Sequence, residues 1–242
     1  MYGWRARVGL ILPADNAVIE PELYSVRELE GVSFHSVRLT TTERAEMPEQ
    51  GVNLSYVFRE LGVDAIVYAC AETSFLRGVD GNQSIAQAII DHTGIPTVTA
   101  TSAMVQALHF LGLQRVSLVA PYTEDRTRTM IEFLQHMSID VDGVEQRDFA
   151  ERGTDPREWY ECNLQPPTTA YLMARRAYRE SVDGVVISAT NFRTFEVISA
   201  LEADLGKPVV TTNQAILWAV FQLLGIRCHI PVLGRLHNIE RG

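Results

Sequence analysis

The chain alternates short, continuously apolar segments with longer segments in which apolar residues recur at helical spacing. The short segments are rich in β-branched residues and lack polar alternation, which is typical of strands buried on both faces of a parallel sheet. They span residues 8–12, 65–68, 97–99, 116–119, 184–187 and 209–211. The helical segments include residues 84–92, 102–111, 127–136, 168–180 and 195–205. This βαβ series predicts an α/β fold.

One stretch fits neither pattern. Residues 143–167 are rich in charged side chains and end in Pro166-Pro167. This composition predicts a long loop with at most a short helix.

An internal repeat divides the series into two halves. GVDAIVYAC at 62–70 aligns with SVDGVVISA at 181–189, and GIPTVT at 94–99 aligns with GKPVVT at 206–211. Two halves with one topology are therefore expected, each a parallel-sheet βαβ domain, related by a pseudo-twofold axis.

We expect one domain to comprise residues 1–114 and 215–242, and the other residues 115–214. Ligands of such sheets bind beyond the carboxyl ends of the strands. The active site is therefore expected between the domains, with Cys70 and Ala189 approaching from opposite sides.

Composition restricts the class of partner. The 242 residues are 46% hydrophobic and 21% charged, and their formal net charge is -9. An acidic chain without clustered Lys and Arg is poorly suited to nucleic acid or an anionic membrane surface. No apolar run approaches the roughly 20 residues that cross a bilayer, and no secretion signal is recognisable. We expect a cytoplasmic protein that binds a small molecule or another protein.

The three cysteines, Cys70, Cys162 and Cys228, are odd in number and widely spaced, which favours reduced thiols over disulfides or a zinc site. Isolated cysteines are usually inert core residues, and this interpretation suits Cys162 and Cys228. Cys70 differs because it follows a buried strand and precedes polar residues at 72–74. The amides of a following helix or turn could lower the pKa of its thiol and make it catalytic.

Six short motifs carry further information. They are LPADN at 12–16, FHSVR at 34–38, YAC at 68–70 with SF at 74–75, APY at 120–122, CNL at 162–164 and SATNFRT at 188–194. Together they resemble the aspartate/glutamate racemase superfamily, in its branch of maleate cis-trans isomerases and arylmalonate decarboxylases. The resemblance covers nearly the whole chain. It implies that Cys70 is the nucleophile, that Tyr122 belongs to the catalytic group, and that Asn16 and Asn163 bind substrate.

The motif at 188–194 departs from the family pattern. The resemblance implies a second catalytic cysteine at position 189, where this chain has Ala189. Isomerases and racemases of the superfamily use two thiols on opposite faces of the substrate. Three explanations are open: an engineered substitution, a natural one-cysteine enzyme, and a non-catalytic relative.

The leading hypothesis is a cofactor-independent isomerase or racemase of a small carboxylate or dicarboxylate, similar to maleate isomerases. Cys70 would add to the substrate, and position 189 would lack the acid/base partner. A decarboxylase of a malonate-like acid is the alternative, because one thiol suffices to protonate its product. A hydrolase using Cys70 with Glu72, and a protein that only binds carboxylates, are open hypotheses as well.

A dicarboxylate bound without a metal needs several hydrogen-bond donors. Thr73, Ser74, Thr190 and Asn191 are the candidate substrate-binding donors, although helix capping explains the same residue types. Glu72 conflicts with this interpretation, because its carboxylate would repel an anion and raise the pKa of the neighbouring thiol. Either Glu72 points away, or the substrate carries a cation or an amide.

Neither a metal site nor a nucleotide cofactor is predicted. The six histidines lack metal-ligand spacing, and the glycines at 78–81 lack the pattern of a phosphate-binding loop. By similarity to the superfamily, we expect a homo-oligomer, either a dimer or a tetramer.

Overall fold

The computed structural model of the chain describes residues 2–149 and 161–237. Within these ranges the chain forms two four-stranded sheets, and every strand pairing is parallel. The first sheet contains β1 (Ala6–Pro13), β2 (Val32–Leu39), β3 (Ala65–Tyr68) and β4 (Thr97–Thr99). The second contains β5 (Arg115–Ala120), β6 (Asp140–Gln146), β7 (Gly184–Ile187) and β8 (Val209–Thr211).

The two sheets have the same topology. Their strand orders are β2-β1-β3-β4 and β6-β5-β7-β8. The strand β3 and its counterpart β7 carry the two copies of the internal repeat. The predicted α/β fold of two related parallel-sheet halves is confirmed.

Helices connect the strands of each half. The first half contains α1 (Ile19–Ser25), α2 (Met47–Leu54), α3 (Tyr56–Leu61), α4 (Ala71–Phe75), α5 (Gly78–Thr93) and α6 (Ala100–Phe110). The second contains α7 (Glu124–His136), α8 (Glu161–Leu164), α9 (Pro167–Ala177), α10 (Ile198–Leu205) and α11 (Thr212–Leu224). Among the described residues, no helix combines the length and the apolar character needed to cross a bilayer.

Strands β4 and β8 run directly into α6 and α11. In each case a threonine at the end of the strand caps the helix: Thr99 Oγ1 accepts a hydrogen bond from the Ser102 amide at 3.0 Å, and Thr211 forms a capping box with Gln214. Helix α11 packs against α6, β3 and β4 of the first half as well as β8 of the second. The boundaries at residues 114 and 214 stay a prediction.

Two strands were missed by the sequence pattern. Both β2 and β6 lie at a sheet edge, and neither is buried along its whole length. Every second residue of β6 is exposed, so the strand lacks the continuous apolar run that marks the central strands. The prediction of a loop over 143–167 is therefore wrong for 143–146, which belong to β6.

The rest of that segment has two parts. The expected short helix is α8, whereas residues 150–160 lie outside the described ranges.

Two predicted helices are also shorter than expected. Helix α9 ends at Ala177 because Tyr178 is extended (φ -54°, ψ 137°), and α10 begins only at Ile198.

The main hydrophobic core runs through both halves and includes every residue of β7 except its glycine. A smaller cluster covers the other face of the first sheet, with Phe58 and Tyr68 as its largest fully buried side chains. These cores fix the central strands β1, β3, β5 and β7, and the loops that leave their carboxyl ends form the candidate site.

Candidate active site

A small cavity of about 50 Å³ lies where the loops after the four central strands converge. Its lining residues are Pro13, Asp15, Asn16, Arg44, Cys70, Ala71, Glu72, Tyr122, Ala189, Thr190 and Asn191. Each central strand leads into part of this lining, as expected for ligand sites of parallel sheets. Of the nine site residues predicted from the sequence, Asn16, Cys70, Tyr122, Ala189, Thr190 and Asn191 line the cavity, whereas Thr73, Ser74 and Asn163 do not.

Cys70 immediately precedes α4, and its side chain is almost fully buried (5% exposed). Burial raises the pKa of its thiol to about 11, because a thiolate there would lose its hydration. Hydrogen bonds from the Thr73 hydroxyl and amide lower this pKa, and the Glu72 charge raises it. From the sequence, following amides could lower this pKa and Glu72 would raise it, and in the structure burial outweighs the donors. Burial therefore favours the protonated form of the Cys70 thiol near neutral pH.

Thr73 and Ser74 lie next to Cys70 but do not line the cavity. The hydroxyl of Thr73 lies 2.7 Å from the hydroxyl of Tyr68, and the hydroxyl of Ser74 donates to the Cys70 carbonyl at 2.7 Å. Both residues are fully buried. These hydrogen bonds position Cys70 and the first turn of α4. Contact of Thr73 and Ser74 with the substrate remains a prediction.

Ala189 lies on the other side of the cavity in an unusual backbone conformation. Its φ is +126°, a value that residues other than glycine rarely adopt. The Ala189 amide donates to Thr212 Oγ1 at 3.0 Å, which helps to hold this conformation. Backbone strain of this kind is concentrated at functional sites. Of the described residues that line the small cavity, Cys70 alone carries a thiol.

Asn16 and Thr190 join the two halves at the floor of the cavity. Asn16 Nδ2 donates to Thr190 Oγ1 at 2.9 Å, and the same hydroxyl donates to the Ala69 carbonyl at 3.1 Å. Asn16 Oδ1 accepts from the amides of Val18 and Ile19, at the start of α1, at 3.0 and 3.1 Å. These protein contacts already use both polar groups of the Asn16 side chain. Its contact with substrate stays a prediction.

Asn163 forms hydrogen bonds with the backbone of the loop that contains Asn16. Its Nδ2 donates to the Asp15 carbonyl and its Oδ1 accepts from the Ala17 amide, both at 3.1 Å. Asn191, by contrast, has no hydrogen-bond partner for its side chain in the described part of the chain, and it lines the cavity. Asn16 and Asn163 each use one of their two side-chain N–H donors on the protein, whereas Asn191 uses neither among the described residues.

Tyr122 closes the cavity from the second half. Its hydroxyl lies 3.0 Å from Ser188 Oγ, and its ring packs against Phe75 with the ring centroids 5.5 Å apart. Burial raises the pKa of Tyr122 well above its usual range, so that the hydroxyl stays protonated. It can therefore act as a neutral hydrogen-bond donor.

Glu72 is held by two arginines that no sequence motif singled out. Arg44, from the loop after β2, donates through Nε to Glu72 Oε1 at 3.1 Å. Arg126, from α7 in the other half, forms an ion pair with the same oxygen at 3.0 Å. The Glu72 carboxylate is 13% exposed and lines the cavity. It does not point away from the site, and the expected repulsion of an anion is offset by both arginines.

A larger cavity of about 280 Å³ adjoins the small one. The two share Asp15, Arg44, Glu72, Tyr122 and Asn191. Apolar side chains that line only the larger cavity are Ala14, Leu39, Met47, Pro121, Phe149 and Cys162. The site thus has a small polar part beside the thiol and a roomier, partly apolar part next to it.

A second buried carboxylate, Glu22 of α1, fixes the loop that follows Ala189. Glu22 Oε1 accepts from the amides of Thr194 and Phe195 at 2.5 and 2.9 Å, and Oε2 accepts from Asn213 Nδ2 at 2.7 Å. Asn213 Nδ2 also donates to the Thr190 carbonyl at 3.0 Å. Burial raises the pKa of Glu22 to about 7. No sequence pattern pointed to this residue, because its partners lie in the other half of the chain.

Residues 8–237 of the chain match the family model of arylmalonate decarboxylase. The chain belongs to this family. The family also includes maleate isomerases and lies within the aspartate/glutamate racemase superfamily, as the sequence motifs indicated.

Two relatives illustrate the range of the family. The maleate isomerase of Pseudomonas putida is 26% identical over 247 residues, which cover 95% of this chain and 96% of the relative. The arylmalonate decarboxylase of Bordetella bronchiseptica is 27% identical over 217 residues, covering 89% and 86%. Both are distant, and their identities to this chain are nearly equal.

Solved structures confirm the fold. The crystal structure of the maleate isomerase Iso from Pseudomonas putida superposes with a TM-score of 0.87 at 23% identity, covering 96% of this chain and 98% of that one. A crystal structure of arylmalonate decarboxylase gives a TM-score of 0.79 at 24% identity with the same coverage. At these identities the likeness is one of fold.

Proposed function

We propose that this protein is a cofactor-independent decarboxylase of malonate-type acids that carry a bulky apolar substituent, with Cys70 as the proton donor. The observation that carries it is geometric: Cys70 lines a small cavity that adjoins a larger, partly apolar one, and the raised pKa of its thiol supports the same role. A buried thiol with a pKa of about 11 is poorly suited to nucleophilic attack in its resting state, because the thiolate is the nucleophile. It is well suited to donate a proton.

The chemistry of decarboxylation needs one such donor. When the bond between the α-carbon and one carboxylate breaks, carbon dioxide leaves and the electron pair remains on the α-carbon as an enediolate. The Cys70 S–H then protonates that carbon, and the thiolate regains its proton from water. One thiol completes this cycle, so the presence of Ala189 opposite Cys70 is compatible with a natural one-cysteine enzyme.

The two cavities suit the two ends of such a substrate. Tyr122 and Asn191 can donate hydrogen bonds to the enediolate oxygens, which favours its formation. The larger cavity, with Leu39, Met47 and Phe149 in its walls, has room for an aromatic or branched substituent. Maleate has no such substituent and would leave this volume unused.

A maleate isomerase is the second candidate, and a specific comparison favours it. A structure of a cysteine-to-serine mutant of the Nocardia farcinica maleate cis-trans isomerase holds a covalently bound succinylcysteine intermediate, and a variant of Iso was solved with maleate. By analogy, a single thiol in this chain could add to maleate even without a partner at position 189. The raised pKa of Cys70 weighs against it.

A hydrolase has less support than either of these enzymes. It would need a general base beside Cys70, but the nearby Glu72 is ion-paired to Arg44 and Arg126. A protein that only binds carboxylates would show affinity without turnover. The proposed ligand is in every case a small carboxylate, and the homo-oligomer expected from the superfamily stays a prediction.

The test follows product formation by proton NMR in D2O. Phenylmalonate and maleate are offered separately to the unaltered protein and to Cys70→Ala. Phenylacetate with deuterium at the α-carbon, formed by the unaltered protein but at least about 100-fold more slowly by Cys70→Ala, is the expected result. Fumarate from maleate, or a mass increase of Cys70 by one maleate, would favour the isomerase. If neither substrate gives a product but binding is measurable, the remaining hypothesis is a protein that only binds carboxylates.

A further inference from the structure

A buried chain of hydrogen bonds crosses between the two halves and ends on the loop that follows Ala189. Glu22 Oε2 accepts from Asn213 Nδ2 at 2.7 Å, and Nδ2 also donates to the Thr190 carbonyl at 3.0 Å. Glu22 belongs to α1 of the first half, and Thr190 follows β7 of the second. All three residues are at most 6% exposed. The backbone of this loop is therefore tied to a carboxylate that itself lines neither cavity of the site.

The internal repeat shows what distinguishes Asn213. Its equivalent in the first half is Thr101, since each lies two residues after the threonine that ends an aligned segment. Thr101 Oγ1 donates to the carbonyl of Ala71, the equivalent of Thr190, at 3.1 Å. Both halves therefore hold the same carbonyl of the loop after the central strand. In the second half the donor is an amide that also bonds to a carboxylate of the first half.

The Glu22 carboxylate determines how the Asn213 amide is oriented. A side-chain amide has a donor end and an acceptor end. Asn213 presents its donor end to two acceptors, whereas its Oδ1 atom is buried and, within the described ranges, has no hydrogen-bond partner. An unpaired buried acceptor is unfavourable, so the two bonds of Nδ2 must hold the amide in this orientation. Glu22 supplies one of the two acceptors, and its negative charge strengthens that bond.

The loop held in this way carries three residues of the cavity wall. Ala189, Thr190 and Asn191 line the small cavity together with Cys70, and Asn191 also lines the larger one. The Asn191 side chain is one of the two donors assigned above to the enediolate oxygens. A misplacement of about 1 Å in a group that positions the substrate can cost about 100-fold in rate. The orientation of the Asn213 amide therefore bears on the chemistry at Cys70.

We propose that Glu22 is a positioning residue of the active site, which acts through Asn213 to fix Asn191 and thereby the face of the enediolate that meets the Cys70 thiol. This inference deepens the proposed function and rests on it for the reaction. The protonation step is unchanged: the proton of the Cys70 S–H bond goes to the α-carbon, and the thiolate regains a proton from water.

The consequence of this positioning is stereochemical. With the loop fixed, the enediolate oxygens and the apolar substituent are held in the two cavities, and the thiol protonates the α-carbon from one side. One enantiomer is then formed in excess. With the loop loosened, the enediolate can rotate in the site before it is protonated, and more of the other enantiomer is formed.

The experiment follows the decarboxylation of methylphenylmalonate, whose product is chiral. Chiral chromatography gives the ratio of the two enantiomers, and initial rates give kcat and KM. Glu22→Gln is the first variant. Its side-chain oxygen can still accept from the Thr194 and Phe195 amides, but its N–H donors face Asn213 Nδ2, which is itself a donor. Rates are measured at pH 8.5, above the pKa of about 7 of Glu22, so that the carboxylate of the unaltered protein is ionised.

In Glu22→Gln the ratio of the major to the minor enantiomer should fall about fivefold, the factor that corresponds to the loss of one hydrogen bond. We expect kcat to fall about tenfold and KM to change by less than about threefold, because the displaced donor acts mainly in the transition state. A purely structural role would lower the fraction of active protein, and hence kcat, without changing the enantiomer ratio. An unchanged ratio therefore overturns the proposal.

Two further variants test whether Glu22 acts through Asn213. Asn213→Ala should lower the enantiomer ratio by a similar factor of about five. Combined with Glu22→Gln it should lower the ratio no further, because the two side chains act on the loop as one unit. Additive losses in the double variant would overturn the proposal. If Glu22→Gln does not fold, the ratio measured for Asn213→Ala decides by the same criterion.

Glu202→Gln is the matched control. Glu202 also accepts from backbone amides, those of Val209 and Arg235, both at 3.0 Å. Its substitution by Gln removes the same charge but leaves the bonds between Glu22, Asn213 and the loop intact. The enantiomer ratio should be unchanged in this variant. An equal fall of the ratio in Glu202→Gln would count against a specific role of Glu22 and would overturn the proposal.

Hydrogen exchange separates this inference from the proposed function. Exchange of the backbone amides at 189–192, followed by mass spectrometry without substrate, should be about fivefold faster in Glu22→Gln and unchanged in Glu202→Gln. If the unaltered protein forms no product from methylphenylmalonate, the decarboxylase fails, and hydrogen exchange alone decides whether Glu22 positions the loop. If product forms but neither the enantiomer ratio nor the exchange responds to Glu22→Gln, the positioning role of Glu22 fails alone.

Discussion

Alkylation of Cys70 should be slow at neutral pH and should accelerate over an unusually wide pH range. Burial raises the pKa of this thiol from an ordinary value of 9.0 to about 11. Two pH units correspond to about 2.7 kcal/mol and to a roughly 100-fold smaller thiolate fraction at pH 8 than in an unperturbed cysteine. Because iodoacetamide reacts with the thiolate, its rate with Cys70 should fall by about the same factor, apart from any further slowing by restricted access.

The assay treats the native protein with iodoacetamide at several pH values from 7 to 10, and mass spectrometry quantifies each cysteine peptide separately. The logarithm of the Cys70 rate should rise with a slope near one and without a plateau up to pH 10. The peptide of Cys228, which is partly exposed, reports on the reagent and on the integrity of the fold. A parallel measurement on Glu72→Gln should show faster alkylation of Cys70 at each pH, since the Glu72 charge raises the pKa of this thiol.

A plateau of the Cys70 rate below pH 9 would refute this reasoning. It would mean that the thiolate is stabilised in the folded protein by the Thr73 donors and the nearby arginines more than burial disfavours it. A resting thiolate is what nucleophilic addition to an alkene requires, so that result would favour the isomerase over the decarboxylase.

Three other variants test the surroundings of the site. The pKa of Glu22 is about 7 in the folded state and 4.5 when unperturbed, so between these values the folded state binds more protons. The free energy of unfolding should therefore fall by about 3 kcal/mol as the pH rises from 4.5 to 7. Urea unfolding of Glu22→Gln should lack this part of the pH dependence, and an unchanged slope would contradict the assigned pKa. Ala189→Gly should raise the free energy of unfolding by about 1 kcal/mol, because glycine tolerates the φ of +126°; a loss of stability would show that the conformation is not strained. Thr190→Val removes the bonds of its hydroxyl to Asn16 and Ala69 and should cost about 2 kcal/mol by the same measurement, whereas a cost near zero would mean that these bonds do not couple the halves.

The central strands could be predicted from the sequence because burial on both faces leaves a continuous apolar run. The internal repeat showed that β3 and β7 are equivalent strands. It therefore predicted that Cys70 and Ala189, which follow them, lie at one site, and both line the small cavity. Strands β2 and β6 could not be found in this way, since polar residues interrupt their apolar runs, and in β6 every second residue is exposed.

The electrostatics of the site were beyond the reach of sequence patterns. Glu72, Arg44 and Arg126 are far apart in the chain, and only the folded arrangement brings them to a shared contact. The direction of the Cys70 pKa likewise depends on a balance between burial and local donors, which the residue types alone do not reveal. The sequence therefore indicated where the site lies but not its charge.

The central claim is that Cys70 delivers a proton to the α-carbon after loss of carbon dioxide. Its most direct test is the conversion of methylphenylmalonate in D2O, with chiral chromatography of the product and mass spectrometry of its deuterium content. The unaltered protein should give one enantiomer in excess with a single deuterium at the α-carbon, and Cys70→Ser should be at least about 100-fold slower. A Cys70→Ser variant with an unchanged rate and the same enantiomer would contradict the claim, because the proton would then come from another group.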